Sequence, residues 1–235
     1  MPKIMGILNL TPDSFSDGGL YTDTQGALAQ ARKLWESGAD IIDVGAESTR
    51  PGAAPITAEE ELSRLFPVVE EIVKLRYQGQ GCLFSIDTYK PEVAKECLRV
   101  GFSIINDVTG LSNPKMRSLV KTTGCSAVIM HQGPGSTEDL QTFFQERIDL
   151  CKSEGIRDTQ LIIDPGFGFG KTPQQNWEIL NNLGCRVGGH PLLIGTSRKS
   201  FHDGHKRSKT LDTLRIAWGH ADIVRIHDLS LLEKI

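Results

Sequence analysis

The sequence predicts an α/β protein, a single (β/α)8 TIM barrel over residues 1–235 whose last two helices are shortened, on three observations. Eight short β-branched runs alternate with helical patterns, which is the cadence of βα units building a parallel sheet. One unit echoes itself, as GADIIDV at 38–44, GFSIIND at 101–107 and, more loosely, GHADIVRI at 219–226. Every run also ends in a polar residue. An open, doubly wound parallel sheet is the competing architecture.

The expected strands are 3–8, 41–44, 83–86, 104–105, 127–130, 160–163, 191–194 and 223–226. Helix starts are marked by two capping boxes, Thr57 with Glu60 and Thr172 with Gln175, in which paired side chains satisfy the free N–H groups of a first turn. Pro173, Pro91 and Pro114 stand where a helix begins, because a first turn needs no N–H from them. Gly38, Gly101 and Gly124 stand where helices stop. The seventh helix is compressed to about 210–218, and after His227 only 228–235 remain where a full eighth helix belongs.

Composition narrows the function classes. Apolar content of 39% and charged content of 23% are those of an ordinary globular chain. A net charge of −3 provides no field to draw nucleic acid or a membrane surface. No apolar run approaches the roughly 20 residues that span a bilayer. With no signal-peptide pattern at the N-terminus, the expected location is cytoplasmic. Five cysteines without a CxxC pair (Cys82, Cys97, Cys125, Cys151 and Cys185) read as buried thiols, not as a disulfide framework or a zinc knuckle.

The strand ends carry the chemistry. In order they present Asn9, Asp43 with Glu47, Asp87, Asn106 with Asp107, His131, Asp164, Ser197 with Lys199, and Arg225 with His227. One polar strand end is a cap or a turn. Eight of them on the C-terminal rim of a barrel make a site, because that rim is where barrel enzymes work.

DPGFGFGK at 164–171 only superficially resembles a phosphate loop, since Pro165 holds the place where a Walker A loop needs glycine. It reads as a glycine-rich turn that lets backbone approach a flat ligand; for Asp164 itself, a capping role is the alternative. Asp87 and Asp164 together can grip a guanidine-like edge, as carboxylate oxygens match parallel N–H donors. With Asn106 beside them the pattern suits a purine or a pterin. Arg225 and His227, two apart on one strand, face the same way and with Asn9 suit an anion. One asparagine with diphosphate oxygens and water is a normal Mg²⁺ shell. Lys199 and Ser200, at a helix start, suit a carboxylate. The polar loops 11–21 and 47–55 read as lids. His202 and His205, in a loop of Gly, Lys and Arg, read as solvated.

Seven segments, taken together, closely resemble the dihydropteroate synthase family: MGILNLTPDSFSDGG at 5–19, DVGAESTRPGA at 43–53, FSIDTYKP at 84–91, INDVTG at 105–110, DPGFGFGK, GTSRKSF at 195–201 and RIHD at 225–228. The resemblance implies condensation of (7,8-dihydropterin-6-yl)methyl diphosphate with 4-aminobenzoate, giving 7,8-dihydropteroate and diphosphate in folate biosynthesis. It implies pterin recognition by Asp87, Asn106, Asp164 and Lys199, with Met130 and Phe169 lining the pocket. It implies Mg²⁺ at Asn9 and diphosphate at Arg225 and His227. Asp17, Thr49 and Arg50, with Ser200, are implied as the closing wall around the aminobenzoate, and Asp17, Thr49, Arg50 and Lys199 as the catalytic set. A homodimer through the last helices is implied too, although those helices are short here. The strand-five motif, MHQG, is one residue shorter than the family's usual form. Two related readings are a methyltransferase-type pterin-binding barrel, which handles no diphosphate and has no need of STRPG, SRKS and RIHD together, and a non-catalytic pterin-binding barrel.

Overall fold

The computed structural model describes residues 1–11, 19–48, 53–75, 81–183, 186–197, 199 and 207–235. The strands are β1 (Lys3–Asn9), β2 (Ile41–Gly45), β3 (Leu83–Asp87), β4 (Ile104–Asp107), β5 (Ser126–Met130), β6 (Leu161–Asp164), β7 (Leu193–Ile194) and β8 (Ile223–Ile226). They form one sheet in the order β6-β5-β4-β3-β2-β1-β8-β7, and all its ladders are parallel. Among the described residues one parallel bridge, Ile163 to Leu192, joins the two ends, with Ile163 N–H donating to Pro191 O at 2.9 Å. The sheet is therefore a barrel and not an open twisted sheet.

Between the strands lie α1 (Gly19–Glu36), α2 (Ala58–Leu75), α3 (Pro91–Val100), α4 (Pro114–Thr123), α5 (Thr137–Ser153), α6 (Pro173–Asn181) and α7 (Arg207–Trp218). Pro91, Pro114 and Pro173 each occupy a first turn, and the box at Thr172 and Gln175 forms in both directions. The box at Thr57 forms by half. Thr57 Oγ1 accepts from Glu60 N at 3.1 Å, but the Glu60 carboxylate turns to Arg64 at 2.5 Å, since a cation one turn away competes for it with the backbone. A third box, Ser136 with Asp139, opens α5. α7 starts three residues earlier than expected, and a 3-10 helix, Leu229–Lys234, follows β8.

The periodicity of two decides what fills the barrel. Met5, Ile41, Ile104, Val128, Ile162, Leu193 and Ile223 pack with Leu83 into one apolar plug inside the ring. The other face of each strand joins a larger core under the helices, with Ile42, Val44, Ile105, Ile129 and Val224 among its members. A residue two places after a plug residue faces the same way, one level nearer the C-terminal rim. There the sequence changes character: Ile41 leads to Asp43, Ile104 to Asn106, Ile162 to Asp164 and Ile223 to Arg225. On β3 the same face carries Leu83, Ser85 and Asp87. A greasy floor thus supports a polar layer.

Candidate active site

That polar layer is held together across the lumen. Arg225 Nε donates to Asp43 Oδ2 at 2.7 Å, and its Nη2 donates to Asp87 Oδ2 at 2.6 Å. Asn106 Nδ2 donates to the same Asp43 oxygen at 3.0 Å. Asp43 is wholly buried, and its second oxygen takes no hydrogen bond; nor does Oδ1 of Asp87. Asp87 can press in beside β2 because residue 45 is glycine: a Cβ there would lie 3.3 Å from the Asp87 Cβ. Burial pushes the Asp87 carboxyl up to about 7, with Arg225 pulling it down and Asp43 pushing it further up.

Asp164 lines the same cavity. It is buried, and burial raises its carboxyl above the usual range although Gly166 N–H donates to Oδ1 at 2.8 Å. The bond to Gly166 shapes the loop after β6, so this carboxylate braces a turn as well as facing the mouth. The three glycines of that loop have positive φ, at 67° for Gly166, 79° for Gly168 and 74° for Gly170. Their freedom serves the chain itself. A Cβ on Gly166 would sit 2.0 Å from His131 O, and one on Gly170 would sit 2.8 Å from Gly133 Cα. Sequence reasoning assigned these glycines to close approach by a ligand; the approach seen is by the neighbouring loop.

Lys171, last of that run, is buried and joins the two loops by donating to His131 O at 3.2 Å and Gly166 O at 3.1 Å. Burial lowers its ammonium to about 8. Burial, with Lys171 nearby, holds His131 down to about 4, so this imidazole is neutral at ordinary pH. Lys199 reaches in from the segment after β7, its ammonium 4.3 Å from the centre of the Phe169 ring. Burial and then Arg225 lower it to about 8, against the pull of Asp164 and Asp87.

One cavity touches Asp87, Asn106, Met130, Asp164, Phe169, Lys199 and Arg225. It offers carboxylate and amide oxygens along one wall, an ammonium on another, and Met130 and Phe169 as flat apolar surface. A planar heterocycle rich in N–H donors fits that chemistry. A wider concavity of about 1390 Å³ opens at the other end of the barrel, but its one carboxylate, Asp222, is engaged by Arg186 at 2.6 Å.

Residues 5–227 match the family model described as pterin binding enzyme. The chain is 41% identical to the dihydropteroate synthase of Escherichia coli (strain K12), covering 97% of this chain and 87% of that one. It is 39% identical to that of Bacillus subtilis (strain 168), over 99% and 85%. Among solved structures, the Xanthomonas albilineans dihydropteroate synthase with 4-aminobenzoic acid superposes with a TM-score of 0.90, at 36% identity over 99% of this chain and 90% of that one.

The chain belongs to the dihydropteroate synthase family.

Membership makes it a transferase of folate biosynthesis. Of the residues expected to act in this dihydropteroate synthase fold, Asp87, Asn106, Met130, Asp164, Phe169, Lys199 and Arg225 meet at one mouth. Asn9 ends β1 in an exposed position on the same rim. His227 lies just past β8, its Nδ1 3.1 Å from Ser197 Oγ. Arg225 lines the same cavity, with His227 two residues further along the chain. Its guanidinium is turned down onto two carboxylates because the charge density of Asp43 and Asp87 lies directly below it. Asp17, Thr49, Arg50 and Ser200 fall outside the described residues, as do His202, His205 and most of the two expected lids.

Two participants were missed as such. Asp43 was read as one polar strand end among eight, although its place two after Ile41 is the same signal that marks Asn106 and Asp164. Lys171 looked like the end of a glycine loop; nothing in its sequence neighbourhood announces burial.

Proposed function

We infer that this chain joins a 7,8-dihydropterin-6-ylmethyl diphosphate to 4-aminobenzoate, forming 7,8-dihydropteroate and releasing diphosphate. The observation that carries the residue-level reading is the shared cavity of Asp87, Asn106, Asp164 and Lys199, three acceptor groups facing one donor. The pterin ring lies between Met130 and Phe169, its N–H edge toward the carboxylates and its carbonyl toward Lys199. The methylene carbon then points to the rim, where Arg225 and His227 receive the diphosphate.

The C–O bond to diphosphate breaks, the amine nitrogen of 4-aminobenzoate forms the new C–N bond, and its proton passes to the released diphosphate. Positive charge that develops on the dihydropterin is favoured by Asp43, Asp87 and Asp164 beneath it, carboxylates already in place before the reaction starts. Asp17, Thr49 and Arg50, from segments rich in Gly and Pro, serve the aminobenzoate and help keep water from the cation.

Magnesium fits the donor set in a limited way. Among the described residues no cluster of three His, Cys, Asp or Glu side chains gathers, whereas Asn9 offers an exposed amide oxygen on the rim. That suits an ion which keeps its waters and completes its shell from a substrate diphosphate. When bound there, Mg²⁺ would neutralise the departing diphosphate.

The test is direct. Purified protein with the pterin diphosphate, 4-aminobenzoate and Mg²⁺ forms dihydropteroate, and chelation of the metal slows it. Lys199→Ala keeps the fold by circular dichroism and loses about tenfold to a hundredfold in kcat/KM, the value of a hydrogen bond from a charged donor. Pterin binding without product would point to a binding barrel instead.

A further inference from the structure

We propose that Asp43 is a positioning residue that fixes the Asn106 amide with its carbonyl oxygen toward the cavity, and so makes the pocket select a ring edge of N–H donors. This rests on the pterin reading above and adds a residue to it.

The inference starts from what an amide can show. Oxygen and nitrogen of an asparagine side chain have nearly the same shape, so the hydrogen-bond partners decide which end faces where. Asp43 Oδ2 accepts from Arg225 Nε at 2.7 Å and from Asn106 Nδ2 at 3.0 Å. A carboxylate that takes a guanidinium N–H on one oxygen offers that oxygen as an acceptor only, so what Asn106 sets against it must be its N–H. The amide nitrogen of Asn106 is therefore committed downward, and its oxygen is the end left for the cavity that Asn106 lines. Position 106 on its own would present a donor as readily as an acceptor.

The neighbours make this orientation matter. Asp87 Oδ1 takes no hydrogen bond in the structure, and Asp164 stands across the same cavity. With the Asn106 oxygen added, that wall is all acceptor and asks for N–H groups; Lys199 remains as the donor. Turned over, Asn106 would set N–H against the N–H of the same ring edge, leaving two buried donors unpaired. Asp43 also lies fully buried with one oxygen unpartnered, an expensive place for a carboxylate whose only service is packing.

Calorimetric titration with 6-hydroxymethylpterin, which lacks phosphate, reads the ring contacts without the anion side. Asp43→Leu removes the acceptor and should weaken binding about tenfold to a hundredfold, while the KM for 4-aminobenzoate changes less than about threefold. Asp43→Asn keeps an oxygen where Asn106 and Arg225 both point and should bind within about threefold of the parent. Adding Asn106→Asp to Asp43→Leu should restore most of the loss, since a carboxylate shows the cavity an oxygen whichever way it turns. Should Asp43→Leu fail to fold, Asp43→Ala takes its place, with the same second-site test. Parent-like binding by Asp43→Leu, or no recovery on adding Asn106→Asp, overturns the role of Asp43. A parent protein that neither binds the pterin nor makes dihydropteroate overturns the functional reading itself, a different result in a different sample.

Discussion

The pH dependence of turnover should follow two half-buried groups that line one cavity. Ionised, Asp87 offers the ring only acceptor oxygens; protonated, it sets an O–H against the same N–H edge, and burial pushes it up to about 7. Lys199 donates only when protonated, and burial lowers it to about 8. Their active forms overlap in a narrow window. Near pH 7.5 about three quarters of each is in the active form; at pH 6 about a tenth of Asp87 is ionised, and at pH 9 about a tenth of Lys199 is protonated. The expected kcat/KM for the pterin substrate, measured with 4-aminobenzoate saturating, is a bell falling about sixfold from its maximum at either end. Lys199→Met should do two things to whatever activity remains. The alkaline limb disappears, and the acid limb moves to higher pH, because the lysine charge that helps hold Asp87 down is gone. An acid limb belonging to the substrate's own phosphate would stay where it was. A profile flat from pH 6 to 9, or an acid limb unmoved in Lys199→Met, refutes the assignment.

Two other perturbations test the scaffold around this site. Lys90 bridges Glu47 and the fully buried Glu61, at 2.5 Å to the latter, so Lys90→Met strands two carboxylates and should cost about 3–5 kcal/mol near pH 7. Urea unfolding of parent and variant side by side reads that loss, and a difference below about 1 kcal/mol would contradict it. Gly166→Ala places a Cβ 2.0 Å from His131 O at a φ of 67° and should cost about 2–4 kcal/mol. The KM for the pterin substrate should rise with it, since Gly166 N–H holds Asp164; thermal unfolding and initial rates together check both halves.

How much of this could be read from the chain depends on the kind of feature. Strand faces follow from a period of two, so Asp87, Asn106, Asp164 and Arg225 were placed on one mouth from spacing alone. Helix starts at Pro91, Pro114 and Pro173 are local chemistry and formed as read. What sequence could not show is the choice a long side chain makes among partners. Arg225 reaches Asp43 across 182 residues, and that pairing exists only once β8 lies beside β1 and β1 beside β2. Glu60 had two attractive partners, a backbone N–H and Arg64, and the second prevailed. The glycines of 166–170 announced a tight approach without saying to what, because a missing side chain names no partner.

The barrel's last join bears on how the mouth behaves. β6 and β7 meet through one bridge, whereas β1 and β2 share a five-residue ladder. Local opening draws on the least-bonded stretch of a structure, so the ring parts most readily along this line. Asp164 ends one side of it, and the segment leading to Lys199 leaves from the other. Two of the residues that line the cavity thus stand on opposite lips of the weakest join. Breathing there changes the span between them and leaves Asp43, Asp87 and Asn106 undisturbed on the well-knit side. A ligand that bridges the gap would draw the lips together, so that filling the pocket and fastening the barrel become a single event.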